Sequence, residues 1–151
     1  MSSPLLVNIR SAPTLDAALS TIISHFKADT GTIHLLESDG VLHLKAASKG
    51  IPPVVIDAVR LVPIGKGMAG LAAQRGEPVT VCNLQTDASG DVKPGARKTG
   101  MEGAIVVPIW SASKLAGTLG IANRAERTFS DDETEMLIEC GRAIANRPAK
   151  E

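Results

Sequence analysis

The sequence predicts an α+β domain built on a mostly antiparallel sheet with both faces covered. Three observations predict it. Residues 14 to 28 carry a single apolar stripe at helical spacing. Two strand-like runs meet at Ser38-Asp39-Gly40 with no helix-length segment between them. The stretch Ser130-Asp131-Asp132-Glu133 opens a closing helix. At 151 residues the chain is long enough for one such domain with a buried core.

The elements follow in order. Leu15, Ala18, Leu19, Ile22, Ile23 and Phe26 recur at i, i+3, i+4, i+7, i+8 and i+11, the face of an amphipathic helix. Thr14 is its cap, and Asp16 sits where the helix dipole favours an acid. Residues 30 to 37 and 41 to 47 then alternate as strands, and Asp39-Gly40 is a hairpin turn signal. With those two as turn residues Leu36 pairs with His43, which puts His34 and His43 on one face as half-exposed strand histidines. Pro52-Pro53 opens a short apolar helix over about residues 53 to 60. A second short helix covers about 67 to 75, with Met68, Leu71 and Ala72 on its apolar face and Gly76 as its stop.

A strand follows Pro78 over residues 79 to 83. Residues 84 to 102 hold three glycines, a proline and mixed charge; loops of that length in a compact domain carry function or lack fixed order. Residues 103 to 110 are apolar at nearly every position, as in a strand covered on both faces. In the returning strand, bulky Leu115, Leu119 and Ile121 alternate with small Ala116, Thr118, Gly120 and Ala122, so something packs closely on the small face. Ser130 and Glu133 then form a capping box, and Leu137, Cys140 and Ile144 are the buried stripe of the last helix.

One motif invites a different reading. Gly65-Lys66-Gly67-Met68-Ala69-Gly70 matches the glycine pattern of dinucleotide-binding folds. That pattern needs a buried strand before it, within a βαβ unit. Leu61-Val62-Pro63-Ile64 precedes it here, and proline removes a ladder donor, so a central strand is excluded. The hexad therefore turns the chain after Ile64 and starts a short helix, whose N-terminus could attract an anionic group.

Composition excludes several classes. Sixteen basic residues balance 16 acidic ones, which leaves no electrostatic footprint for nucleic acid or anionic lipid. No apolar run approaches a membrane span, and Met1-Ser2-Ser3-Pro4 lacks the features of a signal peptide, so the expected compartment is cytoplasmic. Cys82 and Cys140 are expected as free thiols and small buried hydrophobes. Aromatic side chains are confined to Phe26, Trp110 and Phe129, a poor supply for base stacking. Two hairpin histidines fall short of the three or four ligands a metal centre takes, and His25 lies on the polar side of the first helix. No nucleophile, base and orienting group can be assembled from these residues, so an enzyme is not expected.

The order of these motifs resembles the GAF domain family. Four segments carry the resemblance: the first helix running into Thr32-Ile33-His34-Leu35-Leu36 and its hairpin; Val62 to Gly70 leading to Arg75-Gly76-Glu77-Pro78-Val79; Ile105-Val106-Val107-Pro108-Ile109 with Ala116-Gly117-Thr118-Leu119-Gly120-Ile121; and Asn123 through Phe129-Ser130-Asp131-Asp132-Glu133. It covers about residues 14 to 146, which leaves 1–13 as an N-terminal extension and 147–151 as a tail. The resemblance implies a profilin-like central sheet of six antiparallel strands. The terminal helices would lie on one face, and the short helices and long loop would cover a small-molecule pocket on the other. The expected pocket lies between the sheet and residues 62 to 101, with Met68, Asn83, Asp87, Arg97, Thr99 and Met101 as its ligand-binding residues. Arg97 would clamp an anion and the methionines would line the wall. The implied function is sensory or regulatory: an unidentified small molecule, a homodimer through the terminal helices, a separate output protein, and no identified cofactor.

Other members of the fold frame the alternatives. Free methionine-(R)-sulfoxide reductases use a reacting cysteine with resolving partners, and Cys82 would have to serve; residues 84 to 102 contain no cysteine. Bilin-binding members usually follow their cysteine with histidine, whereas Asn83 follows Cys82. Cyclic-nucleotide-binding members carry an Asn-Lys, Phe, Asp-Glu signature. Here Asn123-Arg124, Phe129 and Asp132-Glu133 match it in part, with arginine for lysine and the acidic pair one residue early. The remaining alternative is a dimerisation domain without a pocket.

Overall fold

The structure is a computed structural model that describes residues 3–81 and 100–147. Two helices, α1 (Pro4–Ser11) and α2 (Leu15–Phe26), lead into the strands β1 (Thr30–Leu36) and β2 (Val41–Ala47). The short helix α3 (Pro53–Ala58), strand β3 (Leu61–Pro63), helix α4 (Gly67–Arg75) and strand β4 (Val79–Val81) follow. The chain closes with β5 (Gly103–Ser111), β6 (Lys114–Asn123) and α5 (Asp131–Ala145). The strands form one antiparallel sheet in the order β3-β2-β1-β6-β5-β4, so the expected six-stranded α+β architecture is present. Pro63 lies on the edge strand β3, where a missing ladder donor is tolerated.

The two faces of the sheet are unlike. Ile33, Ile105, Ile109, Leu119 and Ile121 point toward α1, α2 and α5, where they meet Ile9, Leu19, Ile22, Leu137 and Cys140 in the main core. Both long helices are capped as the sequence indicates. Thr14 Oγ1 accepts from the Ala17 N–H at 3.1 Å, and Ser130 and Glu133 form the complete capping box. Helix α1 is an addition to the sequence reading, which begins its helices at Thr14. Ser3 caps it, Pro4 fits its first turn, and Leu5 and Ile9 are buried. Its eight residues bury two apolar positions, too few for a periodic signal.

Two register details correct the sequence reading. The first hairpin turns over Ser38-Asp39-Gly40, with the Glu37 N–H donating to Val41 O at 3.1 Å and the Gly40 N–H to Glu37 O at 3.0 Å. Leu36 therefore pairs with Leu42, and His43 with Leu35, one residue away from the expected register. A shift of one residue reverses the face. His34 and His43 consequently lie on opposite faces: His34 is buried, and His43 sits outside against Asp39 at 2.8 Å. In the second hairpin the register shifts between Ile109 and Trp110. Beyond this bulge Leu115 joins Leu42, Val62 and Ala73 on the face away from the main core, and Ala116 packs on the helix side.

The link between β6 and α5 is held by Arg127. Its guanidinium lies 2.6 Å from Glu133 Oε2 and 2.7 Å from Asn123 Oδ1, and 4.5 Å over the Phe129 ring. Asn123 Nδ2 in turn donates to Lys27 O at 2.8 Å. The Asn123, Phe129 and Glu133 positions singled out in the sequence are thus joined by Arg127, while the Arg124 N–H bonds Asp29. This cluster ties the end of α2 to the start of α5 and fixes the terminal helices against the sheet.

Candidate ligand-binding cavity

The second face of the sheet is built from small and polar side chains. Strand alternation turns Thr30, Thr32 and His34 of β1, Gly120 and Ala122 of β6, and Ala104 and Val106 of β5 away from the main core. This floor lacks the bulk to fill the space beneath the short helices. Helix α3 spans it with four apolar residues, yet none of its residues is buried, and Val54 is 59% exposed. A cavity of about 350 Å³ results, within the range of small-molecule sites. Ile51, Val54, Val55 and Val59 form one wall; Met68, Met101 and the first turn of α4 form another.

Helix α4 is placed by the glycine hexad. Gly67 adopts φ +65°, the left-handed region that glycine enters without a Cβ penalty. Gly70 packs so closely that a Cβ there would lie 2.4 Å from Pro63 O. The Gly65 N–H donates to Gly70 O at 2.8 Å, and the Gly70 N–H to Lys66 O at 3.0 Å. The helix therefore starts at Gly67, with Lys66 as its N-cap residue, directly beside the cavity. The first N–H groups of α4 have no intrahelical acceptor, and Lys66 supplies no side-chain cap for them. They carry the positive end of the helix dipole. Lys66 itself is exposed at the cavity edge.

The polar groups inside are neutral. His34 Nε2 lies 2.8 Å from Val59 O, and because a carbonyl only accepts, Nε2 carries the proton and donates. Nδ1 is then an acceptor. Burial lowers the His34 pKa below 6.5, against the opposing pull of the Val59 bond, so the ring is uncharged at neutral pH. Thr118, directly across on β6 but not itself part of the lining, is 1% exposed, and its Oγ1 has no hydrogen-bond partner among the described residues. Thr30, 6% exposed, and Thr32 complete the polar side of the floor.

A stability consequence follows. The unfolded chain binds a proton at His34 near pH 6.5 while the folded chain does not, so more protons are bound unfolded and stability rises with pH. The contribution is complete above pH 6.5 and is lost as pH falls from there toward the lower folded value. Glu37, Asp39 and Glu133 all have lowered carboxyl pKa values, so their contributions fade at more acid pH, below their ordinary values near 4. Urea unfolding is expected to show stability declining between pH 7 and 5 in the parent and a flatter profile in His34→Leu. Identical profiles would remove His34 as the cause.

Of the six expected ligand-binding residues, Met68 and Met101 line the cavity. Asn83, Asp87, Arg97 and Thr99, the other four expected ligand-binding residues, lie outside the described residues, as does Cys82. The β1 floor, Lys66 and the α3 wall also line the cavity and are not among the residues the sequence marks. The small face of residues 116 to 122 was the available signal, since it implied close packing or space on that side. Cys140 is buried in the main core behind the sheet, and its thiol is pushed up to about 12, first by burial and then by Glu139. A thiol so held is not a nucleophile at neutral pH. Among the described residues no group of three or more His, Cys, Asp or Glu is placed to hold a metal ion, and no helix is long and apolar enough to cross a membrane.

Comparison with known proteins agrees with this architecture. A search of the curated proteins returns no match. The GAF domain of a phosphoenolpyruvate-protein phosphotransferase from Acinetobacter superposes with TM-score 0.74 at 22% identity, over 93% of this chain and 86% of that one. The GAF domain of the corresponding Coxiella burnetii protein gives TM-score 0.75 at 20% identity, with the same coverage. A free methionine-R-sulfoxide reductase from Neisseria meningitidis, in complex with its substrate, gives 0.71 at 19% identity over 97% of this chain and 78% of that one. At such identities the likeness shows the fold alone. The family model for the GAF domain matches residues 13–146, and with the sheet order and the covered second face this places the chain in the GAF domain family.

Proposed function

We propose that the protein is a sensory or regulatory GAF module, rather than an enzyme, that binds a small molecule in the cavity between the sheet and helices α3 and α4. The observation that carries this reading is the cavity itself, walled by apolar side chains with a few neutral polar groups on its floor. Such a lining stabilises a ligand by burial and orients it by a small number of hydrogen bonds. Ligand contact with α3 and α4 would bias a homodimer formed through the terminal helices, and through it a separate output protein. The Cys82-dependent reductase reading rests on a residue outside the described ones.

Trp110, the chain's single tryptophan, packs against Gly76 at the end of α4, so its fluorescence reports on that helix. Thermal unfolding followed through Trp110 against a panel of cellular small molecules is the test. A ligand at 100 times its Kd adds about 2.7 kcal/mol, a rise in Tm of roughly 5 to 10 °C for a chain of this size. A flat response across the panel would count against the proposal.

A further inference from the structure

We propose that the occupant of this cavity is an aliphatic monocarboxylate, its chain inside and its carboxylate at Lys66 and the N-terminus of α4; the inference rests on reading the cavity as a ligand site. The distribution of charge in the lining carries it. Inside, the described residues offer aliphatic walls and neutral polar groups, with Thr30 and His34 both more than nine-tenths buried. No phenylalanine, tyrosine or tryptophan ring for stacking a base and no carboxylate for pairing an ammonium group lies among the described lining residues, and the one ring there, the His34 imidazole, is held by its bond to Val59 O. The one formal charge among them is Lys66, and it is exposed at the edge.

Among the described residues, a neutral interior with a cation at its rim suits an amphiphile with an anionic head. The head keeps its water, so no charge is buried without a partner. The chain takes up the apolar volume beneath α3, whose side chains have no packing partner deep enough to bury them. A single negative charge matches one lysine reinforced by the roughly half charge of a helix N-terminus. The glycines set this up: Gly67 turns the chain into α4, and Gly70 lets its first turn close onto Pro63, which brings the uncapped N–H groups to the rim beside Lys66.

The test is calorimetric titration with decanoate, 1-decanol and decylamine below their aggregation limits, on the parent, Lys66→Gln and Val106→Phe. Decanoate is expected to bind the parent about tenfold more tightly than decanol, with decylamine weaker still. Lys66→Gln, an exposed substitution that leaves the fold intact, should reduce that preference about fivefold without affecting decanol. Val106→Phe, which narrows the cavity, should weaken both. Equal binding of decanoate and decanol, no binding of decanoate, or decanoate binding indifferent to Val106→Phe would each overturn the inference. If decanoate fails while another class of molecule raises the Tm, the carboxylate assignment falls and the ligand-binding reading stands. If nothing binds or raises the Tm, both fall.

Discussion

Gly70→Ala is expected to destabilise the protein by about 3 kcal/mol or more, at the upper end of the range for overpacking a tight site. A Cβ at this position would lie 2.4 Å from Pro63 O and 3.1 Å from the Gly65 nitrogen. Neither contact can be relieved by a rotamer change, because both atoms belong to the backbone. Pro63 is held by its pairing with Val41 and by the Lys66 N–H, which donates to its carbonyl at 3.1 Å. Gly65 is held by its own bond to Gly70 O. Alanine is intrinsically the better helix former by about 1 kcal/mol, so any net loss measures the collision. Gly141→Ala in α5 is the control. It gains the same propensity, and its Cβ would meet Ile109 Cγ1 at 3.3 Å and Ile109 Cα at 3.5 Å, contacts about 1 Å longer than the one at Gly70, so the gain and the mild crowding should leave it within about 1 kcal/mol of the parent. Urea unfolding of both variants decides the matter; a Gly70→Ala protein as stable as the control would show that α4 is not pinned to β3 as described.

Val106→Phe is expected to abolish ligand binding while leaving the fold intact. Val106 stands opposite Gly120 in the β5–β6 pair and leans over it, with Cγ2 3.1 Å from where a Gly120 Cβ would sit. The glycine leaves room there, so the ring enters the cavity without displacing a neighbour on the sheet. Aromatic residues also suit strands. The added apolar contacts offset strain, and stability should change by less than about 1.5 kcal/mol, as in tolerated core swaps. Affinity for any occupant should fall at least about a hundredfold, because the ligand loses roughly 3 kcal/mol or more of buried contact. A variant that binds as well as the parent would place the ligand elsewhere.

Much of the fold could be read from the residues because its signals are local. The stripe from Leu15 to Phe26, the capping box at Ser130 and the Asp39-Gly40 turn each announce an element within a few positions. Pro63 correctly excluded a central strand, and the hexad at 65–70 was correctly assigned to a turn and short helix. What the sequence concealed depends on register or on distant partners. One residue of hairpin register decides whether His43 shares the face of His34 or the opposite one, and the choice between a two- and a three-residue turn at Asp39-Gly40 is not written in the residues themselves. The bulge that sends Leu115 to the opposite face from Leu119 has no sequence mark either. Helix α1 was too short to show a period.

The site was harder still. Met68 and Met101, which the sequence marks by their place beside the glycines and the long loop, line the cavity. Thr30, Thr32 and Lys66 are ordinary residues in isolation. They come to line one cavity because α3 stands over a floor of Gly120, Ala122 and Ala104 that cannot fill the space beneath it. A cavity is a property of side chains too small to meet, and no motif encodes it directly.

The most direct test is native mass spectrometry of the protein released gently from cells, the parent beside Val106→Phe. The parent should carry a non-covalent small-molecule adduct, either as isolated or after incubation with a cellular small-molecule extract, and should lose it on denaturation, while Val106→Phe shows the bare mass throughout. A parent that stays at its bare mass under both conditions, or an adduct retained equally by Val106→Phe, would contradict the claim that this cavity is a ligand-binding site.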